Sequence, residues 1–209
     1  MDKNSLRLYA VTDRSWLNGR TLASDAEKAL IGGVTMLQLR EKNMEFKELV
    51  RVAVELKALC KKYNVPLIIN DNVYAAKEAD ADGVHLGQND MSPLEARKIL
   101  GNDKIIGMTA KTAEQAKKAE SDGADYLGSG AVFGTSTKHD AKKMDMDTLK
   151  HITASVNIPV VAIGGITAEN VSRLENTGIA GAAVVSGIFA QQDIEQSAKE
   201  LYKKLGEII

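Results

Sequence analysis

The stretch VTMLQLREK, residues 34–42, sets the pattern from which the fold can be predicted. It is a short apolar run with the two-residue period of a β-strand, and it ends in polar side chains. With that period Leu37 and Leu39 face one way, while Gln38 and Arg40 face the other. We expect the leucines to pack under helices and the polar side chains to point into the interior at the carboxyl end of a barrel.

Seven further apolar runs resemble this one, and segments with helical periodicity lie between them. The eight runs are Leu6–Val11, Val34–Leu39, Pro66–Ile69, Gly83–Leu86, Lys104–Met108, Ala124–Leu127, Pro159–Ile163 and Ala180–Val185. The segments between them open with helix-start signals at Ser24, Ser92, Thr112 and Thr167, where a hydroxyl can cap the first turn. Eight strand–helix units predict an α/β fold, a closed (β/α)8 TIM barrel, with an open doubly wound sheet as the structural alternative. Because no linker interrupts the series, we expect residues 1–209 to form a single TIM-barrel domain.

Composition excludes several classes of function. The 27 Lys and Arg residues against 28 Asp and Glu residues leave a net charge of −1, and aromatic residues make up only 4%. Nucleic-acid binding is therefore not favoured, since neither excess positive charge nor stacking platforms are available. A single cysteine, Cys60, excludes an internal disulfide and is expected to be buried on a helix. We expect no signal peptide, no membrane span and a cytoplasmic location.

Two carboxylates follow neighbouring predicted strands. Asp71 comes directly after the third apolar run, and Asp90 ends the loop Gly87-Gln-Asn-Asp90 after the fourth. Neighbouring strands lie about 4.8 Å apart, so these carboxylates repel unless a cation lies between them. A hard, oxygen-seeking ion such as Mg2+ fits best. The alternative is that both side chains are helix caps.

Further polar residues follow other strands. Arg40 and Lys42 beside Gln38 suit an anionic ligand, although an ordinary solvated strand end would look the same. Gly164-Gly165 and the segment 185–187 follow the last two strands, where barrels commonly hold a phosphate on backbone N–H groups, although turn-forming glycines are the alternative. The segment 128–134 is glycine-rich and is the first candidate for a lid. His85 is expected to be a hydrogen-bonded core or rim residue, and His151 a surface residue on a helix.

An ordered set of motifs resembles the thiamine phosphate synthase family. The motifs are QLREK at 38–42, INDN at 69–72, GVHLGQND at 83–90, GTSTKHDA at 134–141, VAIGGI at 161–166 and VVSGI at 184–188. Single pieces such as GGI occur in many phosphate-binding barrels, but the complete ordered set is specific. The resemblance runs from about Tyr9 to Phe189, which is nearly the whole chain.

The resemblance implies a Mg2+-dependent transferase with two small-molecule substrates. These are 4-amino-2-methyl-5-hydroxymethylpyrimidine diphosphate and hydroxyethylthiazole phosphate, and the products are thiamine phosphate and pyrophosphate. Pyrophosphate leaves first, and the thiazole nitrogen then attacks the pyrimidine carbocation. No general base is needed, because the attacking nitrogen carries no proton.

The resemblance also assigns roles by position. Asp71 and Asp90 would bind Mg2+, while the diphosphate would be held by Arg40, Asn70 and Lys138. Gln38 and Lys42 match the motif for the pyrimidine diphosphate. The thiazole phosphate would be seated by Thr135, Thr137, Gly165, Val185 and Ser186. The residues expected to act in the chemical step are Lys138, Arg40 and Thr109.

Departures and alternatives remain. The family commonly has proline at the positions of Ala131 and Gly134, and serine at the position of Thr109. The closest alternative is a thiazole tautomerase-like isomerase on the same fold, which would have no use for paired metal carboxylates. The other is a non-catalytic phosphate-binding barrel. A homo-oligomer is also left open by the sequence.

Overall fold

The fold is a closed barrel of eight parallel strands in a computed structural model that describes residues 2–134 and 143–209. The strands are β1 (Leu8–Val11), β2 (Met36–Leu39), β3 (Leu67–Asn70), β4 (Gly83–Leu86), β5 (Ile105–Thr109), β6 (Tyr126–Gly130), β7 (Val160–Ile163) and β8 (Gly181–Val184). Each strand pairs with its neighbour in sequence, and β8 pairs with β1. The predicted (β/α)8 barrel is therefore confirmed, and the open doubly wound sheet is excluded.

Helices surround the barrel. They are α1 (Leu22–Ile31), α2 (Phe46–Lys62), α3 (Val73–Glu78), α4 (Pro93–Leu100), α5 (Ala113–Ser121), α6 (Met146–Ala154), α7 (Ser186–Phe189) and α8 (Ile194–Ile208). Short 3-10 turns cover Lys3–Leu6, Arg14–Trp16 and Val171–Leu174. Over the described residues, none of these helices combines the length and the apolar character needed to cross a bilayer.

Two predicted helix starts are confirmed and two are wrong. Ser92 forms a capping box with Glu95 at the start of α4, and Thr112 caps α5. Ser24 is not a cap, because α1 begins earlier, after Thr21, whose side chain accepts a hydrogen bond from the Ser24 amide. No α-helix follows Thr167. There the chain forms a turn in which the Asn170 side chain accepts from the Thr167 amide, before the 3-10 turn Val171–Leu174.

The sixth strand is longer than its sequence predicts. It continues past Leu127 to Gly130. Gly130 packs so closely against β7 that a Cβ at this position would collide with the carbonyl oxygen of Ile163. Glycine therefore permits this close strand pairing. The segment 128–130 is part of the barrel wall, so the prediction that it belongs to a lid is wrong.

The core has an inner and an outer layer, as the alternation of residues 34–42 predicts. Leu37 and Leu39 belong to the outer layer between strands and helices, while Met36 belongs to the inner cluster. Cys60 is buried on α2, as predicted, and burial raises the pKa of its thiol to about 12. This layering leaves the interior of the barrel to a small set of side chains that includes Tyr9.

Polar side chains close the amino-terminal end of the barrel, which we call the floor. The residue before β2, Thr35, accepts a hydrogen bond from the Leu8 amide at 2.9 Å. Asp82 and Asp125, near the starts of β4 and β6, accept in the same way from amides at the beginning of β3 and β5, those of Leu67 and Ile106, each at 2.7 Å. The floor therefore satisfies strand-end amides with side chains from the following loop.

We predict that Asp125→Ala lowers the free energy of unfolding by about 2 kcal/mol, because it leaves the Ile106 amide and the Arg97 guanidinium without their charged acceptor. Denaturant unfolding measures the change. Asp122→Ala is the matched control in the same loop, since its partner Lys118 is 76% exposed. The control should change stability by less than about 0.5 kcal/mol. Equal effects of the two substitutions would contradict the proposed role of the floor.

Candidate active site

A cavity of about 310 Å³ opens at the carboxyl end of the barrel, which we call the mouth. Its volume is at the lower end of the range for small-molecule sites. Every predicted site residue that the structure describes lines this cavity. These residues are Gln38, Arg40, Lys42, Asn70, Asp71, Asp90, Thr109, Gly165, Val185 and Ser186. Thr135, Thr137 and Lys138 lie outside the described residues.

The two carboxylates meet at the mouth. The Asp71 backbone has a φ of +61° and donates its amide to the His85 carbonyl oxygen at 2.8 Å, which fixes the start of the loop after β3. Asp90 Oδ2 accepts from the Gly87 amide at 2.7 Å. Asp71 is an exposed residue that lines the cavity, and its carboxyl group is partly desolvated there. This burial, together with a hydrogen bond and repulsion from Asp90, raises the pKa of Asp71 to about 6, although Asn70 and Arg40 act in the opposite direction.

Neither carboxylate caps a helix, so that alternative interpretation is wrong. Asn72 caps α3 by accepting from the Ala75 amide, and Ser92 caps α4. The backbone therefore has its own capping residues, and Asp71 and Asp90 remain directed to the cavity. Two adjoining carboxylates whose charges repel favour a cation between them.

The donor set at the mouth fits Mg2+. Within residues 2–134 and 143–209, no group of three or more histidine, cysteine, aspartate or glutamate side chains could hold a metal ion by itself. Mg2+ is commonly held by one or two carboxylates together with water and substrate phosphates. Asp71 and Asp90 supply the two protein carboxylates, and Asn70 adds an amide at the same edge.

Cationic and amide groups lie beside this pair. The Arg40 backbone amide donates to the buried Thr12 hydroxyl at 3.0 Å, so the base of the Arg40 side chain is anchored at the end of β2. Gln38 is only 4% exposed and points into the barrel, as predicted. Lys42 is exposed at the rim. An anion at the mouth would therefore meet positive charge on the side of β2.

A chain of hydrogen bonds, which we call the tyrosine chain, crosses the barrel beneath the cavity. Gln38 Nε2 donates to Tyr9 Oη at 2.5 Å, and Tyr9 Oη lies 2.8 Å from Tyr126 Oη. Tyr126 Oη lies 3.0 Å from His85 Nδ1, and His85 Nε2 lies 3.1 Å from Thr109 Oγ1. His85 is thus a hydrogen-bonded rim residue, as predicted. Burial raises the pKa of both tyrosines well above the ordinary value, so both hydroxyls keep their protons.

Sequence reasoning missed the two tyrosines. A partial signal was present, because glycines on the neighbouring strands β5 and β6 face two of the three aromatic rings of the tyrosine chain, those of Tyr126 and His85. A Cβ on Gly107 would collide with the Tyr126 ring, and a Cβ on Gly128 would lie 3.1 Å from His85 Cε1. Gly107 and Gly128 therefore provide the space for these rings.

The glycine loops form the far side of the mouth. Gly165 has a φ of +65°, and a Cβ there would collide with the carbonyl oxygens of Phe133 and Gly134. A Cβ on Gly187 would collide with the Ile166 carbonyl oxygen, directly after Ser186 begins α7. These glycines are required by close backbone packing, so they do more than permit turns. The backbone on this side is consequently compact, and Gly165, Val185 and Ser186 line the cavity.

Comparisons with known proteins agree with this geometry. A sequence model described as thiamine monophosphate synthase matches residues 8–188. The thiamine-phosphate synthase of Clostridium tetani is 50% identical over 194 residues, covering 93% of each chain. That of Fusobacterium nucleatum is 46% identical over 203 residues, covering 97% of this chain and 98% of the relative.

A solved structure is similar over the whole barrel. Thiamine phosphate pyrophosphorylase from Pyrococcus furiosus superposes with a TM-score of 0.92 at 38% identity, covering 99% of this chain and 98% of that one. The strand ends that form the mouth lie within the region matched by the family model, by both relatives and by the solved structure. The chain belongs to the thiamine monophosphate synthase family and is an enzyme of the transferase class.

Proposed function

We propose that this protein joins 4-amino-2-methyl-5-hydroxymethylpyrimidine diphosphate to hydroxyethylthiazole phosphate, with Mg2+ as cofactor. The observation that carries the proposal is the contact between Asp71 and Asp90 in a cavity that Arg40 also lines. A diphosphate substrate carries the negative charge that Arg40 and Lys42 attract, and its oxygens complete the ligand set that two carboxylates leave open. A thiazole tautomerase-like isomerase or a non-catalytic phosphate-binding barrel would have no function for these two adjacent carboxylates.

In the proposed reaction the bond between the pyrimidine methylene carbon and the diphosphate oxygen breaks first. Its electron pair leaves with pyrophosphate, and the methylene becomes a resonance-stabilised carbocation. Mg2+ bound by Asp71 and Asp90 would supply charge neutralisation at the leaving oxygens. Arg40, Asn70 and Lys138 hold the diphosphate, and groups already in place at developing charge need no reorganisation during the step.

The second bond forms without proton transfer. The lone pair of the thiazole ring nitrogen attacks the methylene carbon and forms the carbon–nitrogen bond of thiamine phosphate. The protein therefore has to align the two rings and exclude water, which would otherwise capture the carbocation. Gln38 and Thr109 on the barrel wall support this interpretation, since both line the cavity beside the diphosphate-binding side.

The thiazole phosphate is proposed to bind on the opposite side of the mouth. Gly165, Val185 and Ser186 line the cavity there, and Thr135 and Thr137 are the further residues assigned to this phosphate. The position of Gly165 supports the assignment, because it lines the cavity and its close packing against the Phe133 and Gly134 backbone holds this loop at the mouth.

The direct test is pyrophosphate release when the purified protein is mixed with both substrates, with and without Mg2+. We expect release only with the metal, accompanied by thiamine phosphate. Tight binding of thiazole phosphate without release would overturn the proposal in favour of the isomerase or the binding protein.

We predict that the double substitution Asp71→Asn and Asp90→Asn abolishes activity and the response to Mg2+, because neutral amides bind the ion weakly. Steady-state pyrophosphate release over a Mg2+ titration measures both. Asp122→Asn, at the floor, is the control and should behave like the unsubstituted enzyme. A double variant with the original Mg2+ response would show that the ion is held elsewhere.

We predict that Lys138→Ala slows the chemical step by at least about 100-fold, the scale of a lost charge contact at a transition state. Single-turnover kinetics measure the step, and thermal unfolding should change little. Lys150→Ala, an exposed substitution on α6, is the control. Near-normal turnover of Lys138→Ala would contradict the assigned role.

A further inference from the structure

Gln88 lies in the short loop that carries Asp90, between the end of β4 at Leu86 and the cap of α4 at Ser92. Two hydrogen bonds close this loop on itself. The Gly87 amide donates to Asp90 Oδ2 at 2.7 Å, and the Asp90 amide donates to the Gly87 carbonyl oxygen at 3.1 Å. These bonds determine the shape of the loop, but neither of them joins it to a neighbouring strand.

A side-chain hydrogen bond attaches this loop to the barrel wall. Gln88 Nε2 donates to the carbonyl oxygen of Thr109, at the end of β5, at 2.6 Å. Because a carbonyl oxygen can only accept, the contact also decides which end of the Gln88 amide faces the strand. The Thr109 carbonyl lies one step beyond Leu86 and Met108, the last backbone pair of β4 and β5. The Gln88 side chain therefore continues the attachment of β4 to β5 where their ladder has ended.

The acceptor of this hydrogen bond is itself held in place. Thr109 pairs with Gly128 of β6, and the next amide along the chain, that of Ala110, donates to the Gly128 carbonyl oxygen at 3.0 Å. The end of β5 is thus bonded to β6 on one side and to Gln88 on the other. Through this bond the loop 87–91 is attached to the wall of the closed barrel.

The two carboxylates at the mouth are held in different ways. Asp71 directly follows β3, and its amide donates to the His85 carbonyl oxygen of β4, so a backbone bond fixes its loop. Asp90 lies further from the end of its strand, in the loop that Gln88 attaches to β5. Because the two carboxyl groups contact each other, a small displacement of the loop 87–91 would separate them. The position of Asp90 relative to Asp71 therefore depends on Gln88.

We propose that Gln88 is a positioning residue: its side-chain amide, by attaching the loop 87–91 to β5, holds the Asp90 carboxylate beside that of Asp71 and raises the affinity of this pair for a divalent cation. The part concerning the cation rests on the proposed function, which assigns Mg2+ to the two carboxylates. The attachment of the loop does not, because it is a property of the metal-free protein. Residues that support metal ligands commonly contribute about 10–100-fold in metal affinity.

The first test measures binding of Mn2+ alone by electron paramagnetic resonance, since Mn2+ takes the same oxygen ligands as Mg2+. Gln88→Ala should weaken binding about tenfold. Gln88→Met keeps the length of the side chain without its donor and should have the same effect. Gln115→Ala is the matched control, because it removes a similar bond, to the Lys111 amide at 2.7 Å, in the next loop of the mouth. It should bind Mn2+ like the unsubstituted protein.

The outcomes separate this inference from the proposed function. Gln88 itself lines the cavity, but no substrate is present in this experiment, so a contact between Gln88 and substrate cannot produce the effect. The double substitution Asp71→Asn and Asp90→Asn should abolish Mn2+ binding, which identifies the site being measured. Unchanged affinity in Gln88→Ala would overturn this inference alone. Binding that survives in the double variant, or no binding by the unsubstituted protein, would overturn the metal assignment as well.

The second test separates positioning from stability. With both substrates present, Gln88→Ala should raise the Mg2+ concentration for half-maximal pyrophosphate release about tenfold, and saturating Mg2+ should restore most of kcat. The bond to Thr109 is exposed to solvent, so the melting temperature of the metal-free variant should change by less than about 2 °C. A lower kcat at every Mg2+ concentration, with an unchanged Mg2+ requirement, would overturn the positioning role.

Amide hydrogen exchange of the metal-free protein tests the attachment of the loop directly. The Gly87 amide is bonded to Asp90 only while the loop is ordered, so Gln88→Ala should speed exchange at Gly87 about tenfold, the scale of one lost hydrogen bond. Exchange at Ala110, whose bond to β6 remains, should not change. Equal exchange at Gly87 in the variant and the unsubstituted protein would overturn the inference whatever the activity.

Discussion

Pairing between β8 and β1 is the contact on which the other features depend. Without it the sheet would be open, and Ser186, after β8, would lie at the opposite edge from Gln38 on β2. Closure leaves no exposed strand edge and brings all eight carboxyl ends to one rim. Side chains that are far apart in sequence, such as Arg40 and Ser186, then line a single cavity. The chemistry of this chain is a consequence of sheet closure.

The packing of two tyrosines in the barrel interior also fixes side chains that line the cavity at the mouth. Few residues in this chain are aromatic, yet two tyrosines fill the interior, where small residues leave room for them. A buried hydroxyl without a partner costs about 1–3 kcal/mol, so the hydroxyls of Tyr9 and Tyr126 must be paired. Their partners lead to Gln38 on one side and to His85 on the other. The groups that satisfy the core are thus the ones that hold the cavity wall in place.

Sequence reasoning succeeded where a local pattern determines the answer. The alternation at residues 34–42 gives the inward direction of Gln38 and the outward direction of Leu37, because strand side chains must alternate. Asp71 and Asp90 are brought together because parallel strands end at the same edge. The failures have a different origin. Gly130 is in a strand because it approaches Ile163 of β7, a contact that the local sequence does not reveal. Thr21 caps α1 because it is itself a hydroxyl residue three positions before Ser24, so the local sequence offers two possible starts. The tyrosine chain joins β1 to β6, and no local pattern can place those strands' side chains in contact.

The floor hydrogen bonds join six strands of the barrel in pairs. Thr35, Asp82 and Asp125 each attach the loop before an even-numbered strand to the beginning of the odd-numbered strand before it. β1 with β2, β3 with β4, and β5 with β6 are therefore joined both by their ladders and by a side chain. Between β2 and β3, or between β4 and β5, these side-chain bonds do not link one strand to the next. A chain opened at those connections, as in circular permutation or assembly from fragments, would keep each side-chain bond within one piece.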